Sequence, residues 1–437
     1  MPSNVSSPQV NTPAPSGPKF ESETERITPY QWKVLSAVIF AYIFDGLDSM
    51  LFSLTLAMMM KEFAIGKDIA GLIVTIFLGG QIVGGMLVGF IGDWLGRKGS
   101  LIFAIFMYSI GTLCCSFAPS WGWMAFFRAI TGFGAVGAQA PMSSLIAETW
   151  PAKHRSKCAS LMMSMWGISA CIGALFVWFL VPHWGWRSVY LIGGIGGLFL
   201  AIPYVWLTVK ETDRFKEVAE QRRKEKAEGR GLLSDIGDLF KVPQWRKNWL
   251  IGLAAPFAQL TTLWAFLTLV PAYVMLEKGY SVGQGMTWFL ITNAVGSFGF
   301  LLWGPYADWR GRKPAFLLWA LIAGISMPLA LLWAPTQTWF MILSSTTIFG
   351  IYGTYSGIMT YLPELFPTKM RSTATGLTNQ TGRLLSALAP WLIGVLSQNI
   401  GTGRAVSWTA LCWVAVLLAV VFGPETRGKS LEEITGS

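Results

Sequence analysis

Two aspartates, Asp45 and Asp48, interrupt an apolar run that extends from Val34 to Met60. A run of this length is typical of a helix that spans a membrane. An acid near the centre of such a helix costs about 2.5–3.5 kcal/mol on insertion scales, so two acids require a reason. Their spacing of three residues places both carboxylates near one helix face. The chemistry that this pattern favours is proton transfer coupled to transport.

Arg128 is the first candidate partner for these acids. Helix rise places Asp45 and Asp48 about 18–22 Å from the cytoplasmic end of their segment, and Arg128 about 10 Å from the outer end of its own, so the depths overlap. An acid that is alternately buried alone and stabilised by a cation can carry a proton. The alternative is a fixed structural ion pair. We favour Asp45 as the acid that titrates because it lies nearer the midplane.

Arg383 is predicted to lie about 17 Å inside its segment, near the midplane where transporters bind substrate. A buried arginine without an acid in its own half requires an anion, and a guanidinium binds a carboxylate through two parallel hydrogen bonds. The alternative is a pair with Asp45 or Asp48 across the cavity. The other predicted substrate-binding residues are polar or aromatic, although any single aromatic here is more often a packing residue; they are Asn379, Gln139, Gln259, Trp264, Asn293, Tyr352 and Tyr355.

The composition identifies the environment of these residues. The chain has 437 residues, of which 53% are hydrophobic and 13% charged, whereas soluble domains carry about 25% charged residues. Twelve apolar segments are each long enough to cross about 30 Å of hydrocarbon. The predicted fold is therefore an all-α polytopic membrane protein with 12 transmembrane helices, at residues 33–60, 69–91, 100–118, 121–147, 157–181, 187–209, 249–276, 281–303, 315–334, 338–362, 372–399 and 405–423.

The net charge of +10 is explained by topology and not by nucleic-acid binding. The loop at 210–248 alone holds 11 Lys and Arg, interleaved with 8 Asp and Glu. One side of the membrane has few basic residues, namely Lys61, Lys67, Arg187, Lys278 and Arg404. The positive-inside rule therefore places both termini and the 210–248 loop in the cytoplasm of what we expect to be a bacterial inner (plasma) membrane. Contact with anionic lipid is expected at this loop.

Two sequence motifs occur twice. Residues 89–98 are repeated at 304–313, an offset of 215, and residues 148–156 at 364–372, an offset of 216. Such offsets predict two six-helix halves in parallel repeat. The expected domains are a disordered N-terminal tail, an N-domain, a cytoplasmic linker, a C-domain and a C-terminal tail, at 1–30, 31–209, 210–248, 249–423 and 424–437.

The repeated Gly-x-x-x-Asp-x-x-Gly-Arg-Lys turns, together with Arg128-x-x-x-Gly132-x-Gly134, resemble the major facilitator superfamily over nearly the whole chain. The resemblance implies two domains that rock about a central substrate site, with the turns acting as cytoplasmic latches. The alternative is that the turns only set topology. The predicted gating residues are Asp93, Arg97, Asp308, Arg312, Glu148, Arg155, Glu364 and Arg371.

Within the superfamily, Asp45-Gly-Leu-Asp48, Trp150-Pro151-x-x-x-Arg155, His183-Trp-Gly-Trp-Arg187 and Gly382-Arg383-Leu resemble the proton symporters for aromatic acids and related organic anions. This resemblance implies that Asp45 and Asp48 are coupling acids, that Arg128 is their partner and that Arg383 anchors a carboxylate. Ala138 departs from some sialate-type relatives, which carry an acid there.

The predicted function is proton-coupled import of a small organic carboxylate, an aromatic acid or a related monocarboxylate, by alternating access. A sugar porter is the alternative, because residues 424–433 resemble that family's C-terminal signature, although Ala258-Gln259-Leu lacks its paired glutamines. A non-transporting membrane sensor of the same fold ranks lower. The sequence shows no enzyme site, and no metal or cofactor is expected. The predicted partners are the substrate, protons and membrane lipid, and nucleic acid is not among them. The protein is expected to be a monomer.

Overall fold

The computed structural model describes residues 27–211, 239–366 and 371–426, apart from the side chains of residues 89–94, 152–153, 155–156, 160 and 371–373. Helix is the only regular secondary structure in these ranges. The predicted N-terminal tail, most of the linker and the last residues of the C-terminal tail lie outside them.

The first half of the chain contains six long helices. Each is dominated by apolar side chains, and the buried ones form the core of this half. Numbered α1 to α6, they are Pro29–Glu62, Lys67–Val88, Leu95–Cys115, Trp121–Thr149, Ala152–Trp184 and Arg187–Thr208.

The second half repeats this arrangement. Its first helix begins at Pro243, inside the range predicted as linker, because a proline at the first helical position suits a helix start. The eleventh helix of the chain consists of two pieces that are separated at Leu388. Numbered α7 to α12, the helices are Pro243–Leu276, Val282–Arg310, Arg312–Trp333, Gln337–Glu364, Arg371–Ala387 with Ala389–Ile400, and Thr402–Phe422.

Among the described residues, 9 helices are both long and apolar enough to cross a membrane. The other three are α4, α10 and α11, of which the first piece of α11 is rich in hydroxyl and amide side chains. They complete the twelve. The predicted fold class is confirmed, and the chain is an integral membrane protein.

Two glycines make the repeated turns sharp. Gly96 has φ of 76° and Gly311 has φ of 112°, backbone conformations that side chains with a Cβ rarely adopt. Helical geometry resumes immediately after each glycine: α9 begins at Arg312, and α3, whose range starts at Leu95, is interrupted at Gly96 and continues from Arg97.

The two halves meet along three helix pairs, α1 with α7, α2 with α11, and α5 with α8. The α2–α11 seam is closest at the end that carries Lys67. A Cβ added at Gly71 would lie 2.2 Å from the carbonyl oxygen of Pro390, and one at Gly394 would lie 2.4 Å from that of Lys67. Backbone therefore packs on backbone here, while a cavity remains between the halves deeper in the molecule.

Candidate substrate and proton site

The cavity between the halves is lined by side chains from both. Aromatic rings and a few polar groups form its wall, which is the usual character of a small-molecule site. The lining residues are Tyr42, Asp45, Gln81, Ala135, Val136, Gln139 and Trp166 from the first half, and Gln259, Leu260, Leu263, Trp264, Phe300, Tyr352, Tyr355 and Arg383 from the second.

Arg383 is the basic residue of this wall. Its side chain is buried, with 5% of the residue exposed. Its Nη1 donates to the Oε1 of Gln81 at 2.5 Å, and its Nε has no hydrogen-bond partner in the described part of the chain. The ion pairs between described residues do not include one from Arg383 to Asp45 or Asp48. The structure therefore does not contain the direct cross-cavity pair that was the alternative for Arg383.

Asp45 is the acid of the same cavity. Only 1% of the residue is exposed, and its Oδ1 is buried without a hydrogen-bond partner in the described region. A carboxylate in such a place is costly if ionised and unpaired. Asp45 thus has the burial and the vacant oxygen that a group needs to take up and release a proton.

Asp48 lies in a different environment, one helical turn away. Its Oδ2 lies 3.1 Å from Nη1 of Arg128, and Thr112 donates a short hydrogen bond to its Oδ1. Arg128 also lies over the ring of Phe77, with 4.2 Å from Cζ to the ring centroid. Asp48, Arg128 and Thr112 form a buried network that is closed off from the cavity wall, although Nε of Arg128 has no hydrogen-bond partner among the described residues. The geometry matches the fixed ion pair for Asp48 and leaves Asp45 apart from it.

The other predicted substrate-binding residues divide into two groups. Gln139, Gln259, Trp264, Tyr352 and Tyr355 line the cavity, and the Oε1 of Gln259 is buried without a partner among the described residues. Asn293 and Asn379 are not part of the lining that the described residues form. Asn293 lies behind the wall, where its Oδ1 accepts a hydrogen bond from the Tyr352 hydroxyl at 2.6 Å. Asn293 therefore orients a cavity residue instead of facing the cavity.

The predicted gating residues form one cluster in each half. In the first, Nε of Arg97 lies 3.2 Å from Oε1 of Glu148. In the second, Arg312 lies 2.5 Å from Asp308 and 3.3 Å from Glu364. The side chains of Asp93, Arg155 and Arg371 lie outside the described residues. Each of these ion pairs around Arg97 and Arg312 joins helices of the same half.

Two acids complete these clusters and were not predicted. Glu211 accepts from the backbone N–H groups of Arg97 and Lys98 at 2.7 and 3.2 Å, and Glu425 accepts from those of Arg312 and Lys313 at 2.9 Å each. A carboxylate at a helix N-terminus is favourable, since the amides there lack intrahelical partners. The two glutamates are 214 residues apart, close to the repeat offset, and that spacing was the signal available in the sequence.

Three cavity residues whose side chains can form hydrogen bonds also escaped sequence reasoning, namely Tyr42, Gln81 and Trp166. Gln81 had a visible signal, since it is a lone amide within the apolar, glycine-rich sequence of α2. Tyr42 lies one turn before Asp45. Trp166 precedes Gly167, which is the repeat counterpart of Arg383. The comparison of the two halves therefore indicated the part of α5 that contains Trp166.

Comparison with known proteins agrees with the architecture. The chain matches the Major Facilitator Superfamily over residues 38–390 and 289–431. It belongs to this family of membrane transporters and is not an enzyme. It is 27% identical to the niacin transporter NiaP of Acinetobacter baylyi, across 93% of this chain and 97% of that protein. It is 28% identical to the gentisate transporter of Corynebacterium glutamicum, across 88% of this chain and 87% of that protein.

The fold is also that of a solved transporter. The inward open conformation of the xylose transporter XylE from E. coli superimposes with a TM-score of 0.75, covering 92% of this chain and 99% of that one at 20% sequence identity. This likeness concerns the fold alone.

Proposed function

We propose that this transporter imports a small aromatic carboxylate together with a proton. The observation that carries the proposal is the buried guanidinium of Arg383 in the cavity wall, with an unpartnered Nε and no ion pair among the described residues. A buried cation without a counter-ion is expensive, so an anionic ligand compensates it. A carboxylate oxygen pair matches the guanidinium edge.

The rest of the wall supports an aromatic acid. Trp166, Trp264, Tyr352 and Tyr355 line the cavity together with Arg383, and aromatic side chains pack favourably against an aromatic ring. The relatives named above include transporters of niacin and gentisate, both of which are aromatic acids.

Asp45 is the proposed proton carrier. It shares the cavity with Arg383, and its Oδ1 has no partner in the described chain, whereas Asp48 is held by Arg128 and Thr112. Protonation of Asp45 removes the cost of a second buried anion when the substrate carboxylate is bound at Arg383. A protonated Asp45 and a bound carboxylate together add no net charge to the cavity, which suits movement across the membrane.

The clusters around Arg97 and Arg312 are proposed to act as latches that hold the helix ends of each half. Both termini are proposed to lie in the cytoplasm, and the protein in a bacterial inner membrane, on the charge distribution of the loops. We expect a monomer in contact with anionic lipid at the linker. The domain bounds are those given above, except that the C-domain begins with the helix at Pro243.

Transport in proteoliposomes tests the proposal. An imposed inside-alkaline gradient should accelerate uptake of nicotinate, benzoate or gentisate, and a protonophore should abolish accumulation. Accumulation that persists without the gradient would remove proton coupling.

A thermal-shift screen separates the acid transporter from the sugar porter. The acids should raise the unfolding temperature of the purified protein, and their carboxamides and a panel of pentoses and hexoses should not. Stabilisation by a sugar and by none of the acids would favour the alternative that residues 424–433 suggest.

A further inference from the structure

The only hydrogen bond that Arg383 makes through its guanidinium in the described structure is to Gln81, and this bond crosses from one half to the other. Gln81 lies on α2 and Arg383 on α11. Both are buried, with 3% and 5% of each residue exposed. Resting on the proposed carboxylate site, we propose that Gln81 is a positioning residue that presents the free edge of the Arg383 guanidinium to the substrate carboxylate.

The chemistry of the pair fixes which atoms meet. An arginine side chain has five N–H donors and no acceptor, so the oxygen of the Gln81 amide must face it. The 2.5 Å hydrogen bond to Gln81 therefore occupies Nη1, on one side of the guanidinium. The Nε on the other side has no partner among the described residues. Nε and Nη2 form the edge that binds a carboxylate through two parallel hydrogen bonds.

The surrounding seam holds Gln81 in place. Position 85, one turn further along α2, is a glycine, and a Cβ there would lie 2.6 Å from Nε2 of Gln380 on α11. Towards the other end, Gly71 packs against the backbone of Pro390. Contacts above and below thus set the register of α2 on α11, which brings Gln81 opposite Arg383. The amide is positioned by the packing of the two halves.

Removing this acceptor should weaken carboxylate binding without altering the charge of the site. The guanidinium would lose its orientation, and the ligand would have to order it on binding, a cost that corresponds to about a tenfold loss of affinity. Because the bond joins the halves, the carboxylate site is complete only while α2 and α11 are packed. Such a difference in contacts between conformations is what allows a ligand to bias their populations.

The test measures the dissociation constants of the full-length purified protein for nicotinate, benzoate and gentisate, and for the three matching carboxamides. Gln81→Leu keeps the side-chain size but removes the acceptor, and should weaken acid binding about tenfold while carboxamide binding is unchanged. Gln81→Glu supplies an internal carboxylate to Arg383 and should abolish acid binding at neutral pH. Gln398→Leu is the control, an exposed amide of α11 outside the cavity lining, and should bind acids as the wild type does.

The outcomes separate the inference from the proposed function. If Arg383→Ala binds the acids as the wild type does, or if the wild type binds none of them, the proposed function is wrong and the inference falls with it. If Arg383→Ala loses acid binding but Gln81→Leu and Gln81→Glu retain it, only the inference is overturned. Equal losses for acids and carboxamides in Gln81→Leu would indicate a merely structural role. If Gln81→Leu does not fold, the Gln81→Glu variant decides, because it keeps both shape and hydrogen bond.

Discussion

Two arginines are buried within the membrane-spanning region, and their surroundings differ. Arg128 has 1% of its surface exposed and is paired with Asp48, while the ring of Phe77 covers its face. Arg383 is nearly as buried at 5%, but its guanidinium bonds only to an amide within the described structure and lines a cavity. The same residue type at similar burial thus has an acidic partner in one place and, among the described residues, no ion pair in the other.

The two aspartates repeat this contrast. Asp48 belongs to the closed network of Arg128, and Asp45 faces the open cavity of Arg383. One helical turn separates an ion-paired carboxylate from the proposed proton carrier. If this distinction is correct, substitutions at the two sites should change different properties of the protein.

Breaking the closed network should cost the most. Arg128→Leu leaves Asp48 buried with only Thr112 as a partner, and such a broken pair costs about 3–5 kcal/mol of stability. The unfolding temperature of the purified protein measures the effect. Adding Asp48→Asn should restore much of the loss, because the stranded charge is then removed. A single variant as stable as the wild type would show that the pair is not structural.

Removing the cavity cation should instead affect binding. Arg383→Gln deletes two charge-assisted hydrogen bonds to the substrate, each contributing about 1.5–3 kcal/mol, so acid affinity should fall about 100-fold or more. Calorimetric titration with the acid panel measures the effect. Unfolding temperature should change little, since the protein loses only the bond to Gln81. A stability loss as large as that of Arg128→Leu would erase the distinction between the two arginines.

The two aspartates should differ in energy coupling. With an imposed gradient of one pH unit, one proton per anion supports about tenfold accumulation. Asp45→Asn should reduce this to simple equilibration while counterflow exchange persists, because the carboxamide cannot carry a proton. Radiolabelled uptake into proteoliposomes measures both. Intact accumulation in Asp45→Asn would move the coupling to another group.

The smallest effect is expected at the end of the α2–α11 seam. Nζ of Lys67 lies 2.5 Å from Oε1 of Glu277, and this bridge joins the two halves with side chains 25% and 32% exposed. Partly exposed pairs contribute about 1 kcal/mol or less. Glu277→Gln and Lys67→Gln should each change the uptake rate less than about fivefold, and the double variant no more than either. Additive losses would mean that the two residues act separately.

Periodic and repeated features were readable from the sequence. Apolar runs predicted twelve helices because backbone groups in hydrocarbon must bond within their own segment. The paired turns predicted the two halves, and isolated charges in apolar runs directed attention to Asp45, Asp48, Arg128 and Arg383, since each such charge is costly. These inferences depend on local composition, which can be read from a single sequence without knowledge of the tertiary contacts.

The assignment of partners was decided only by the tertiary structure. The depths estimated from the sequence placed both aspartates within reach of Arg128. Only the packing of α1 against α3 and α4 shows that Asp48 lies beside Arg128 and Thr112, whereas Asp45 lines the cavity. The bond between Gln81 and Arg383 joins residues 302 positions apart. No local pattern encodes such a contact, because it depends on how two separately folded halves pack. The sequence therefore determined which groups are costly to bury, and the structure decided which of them have a charged partner within the described protein and which line the cavity without one.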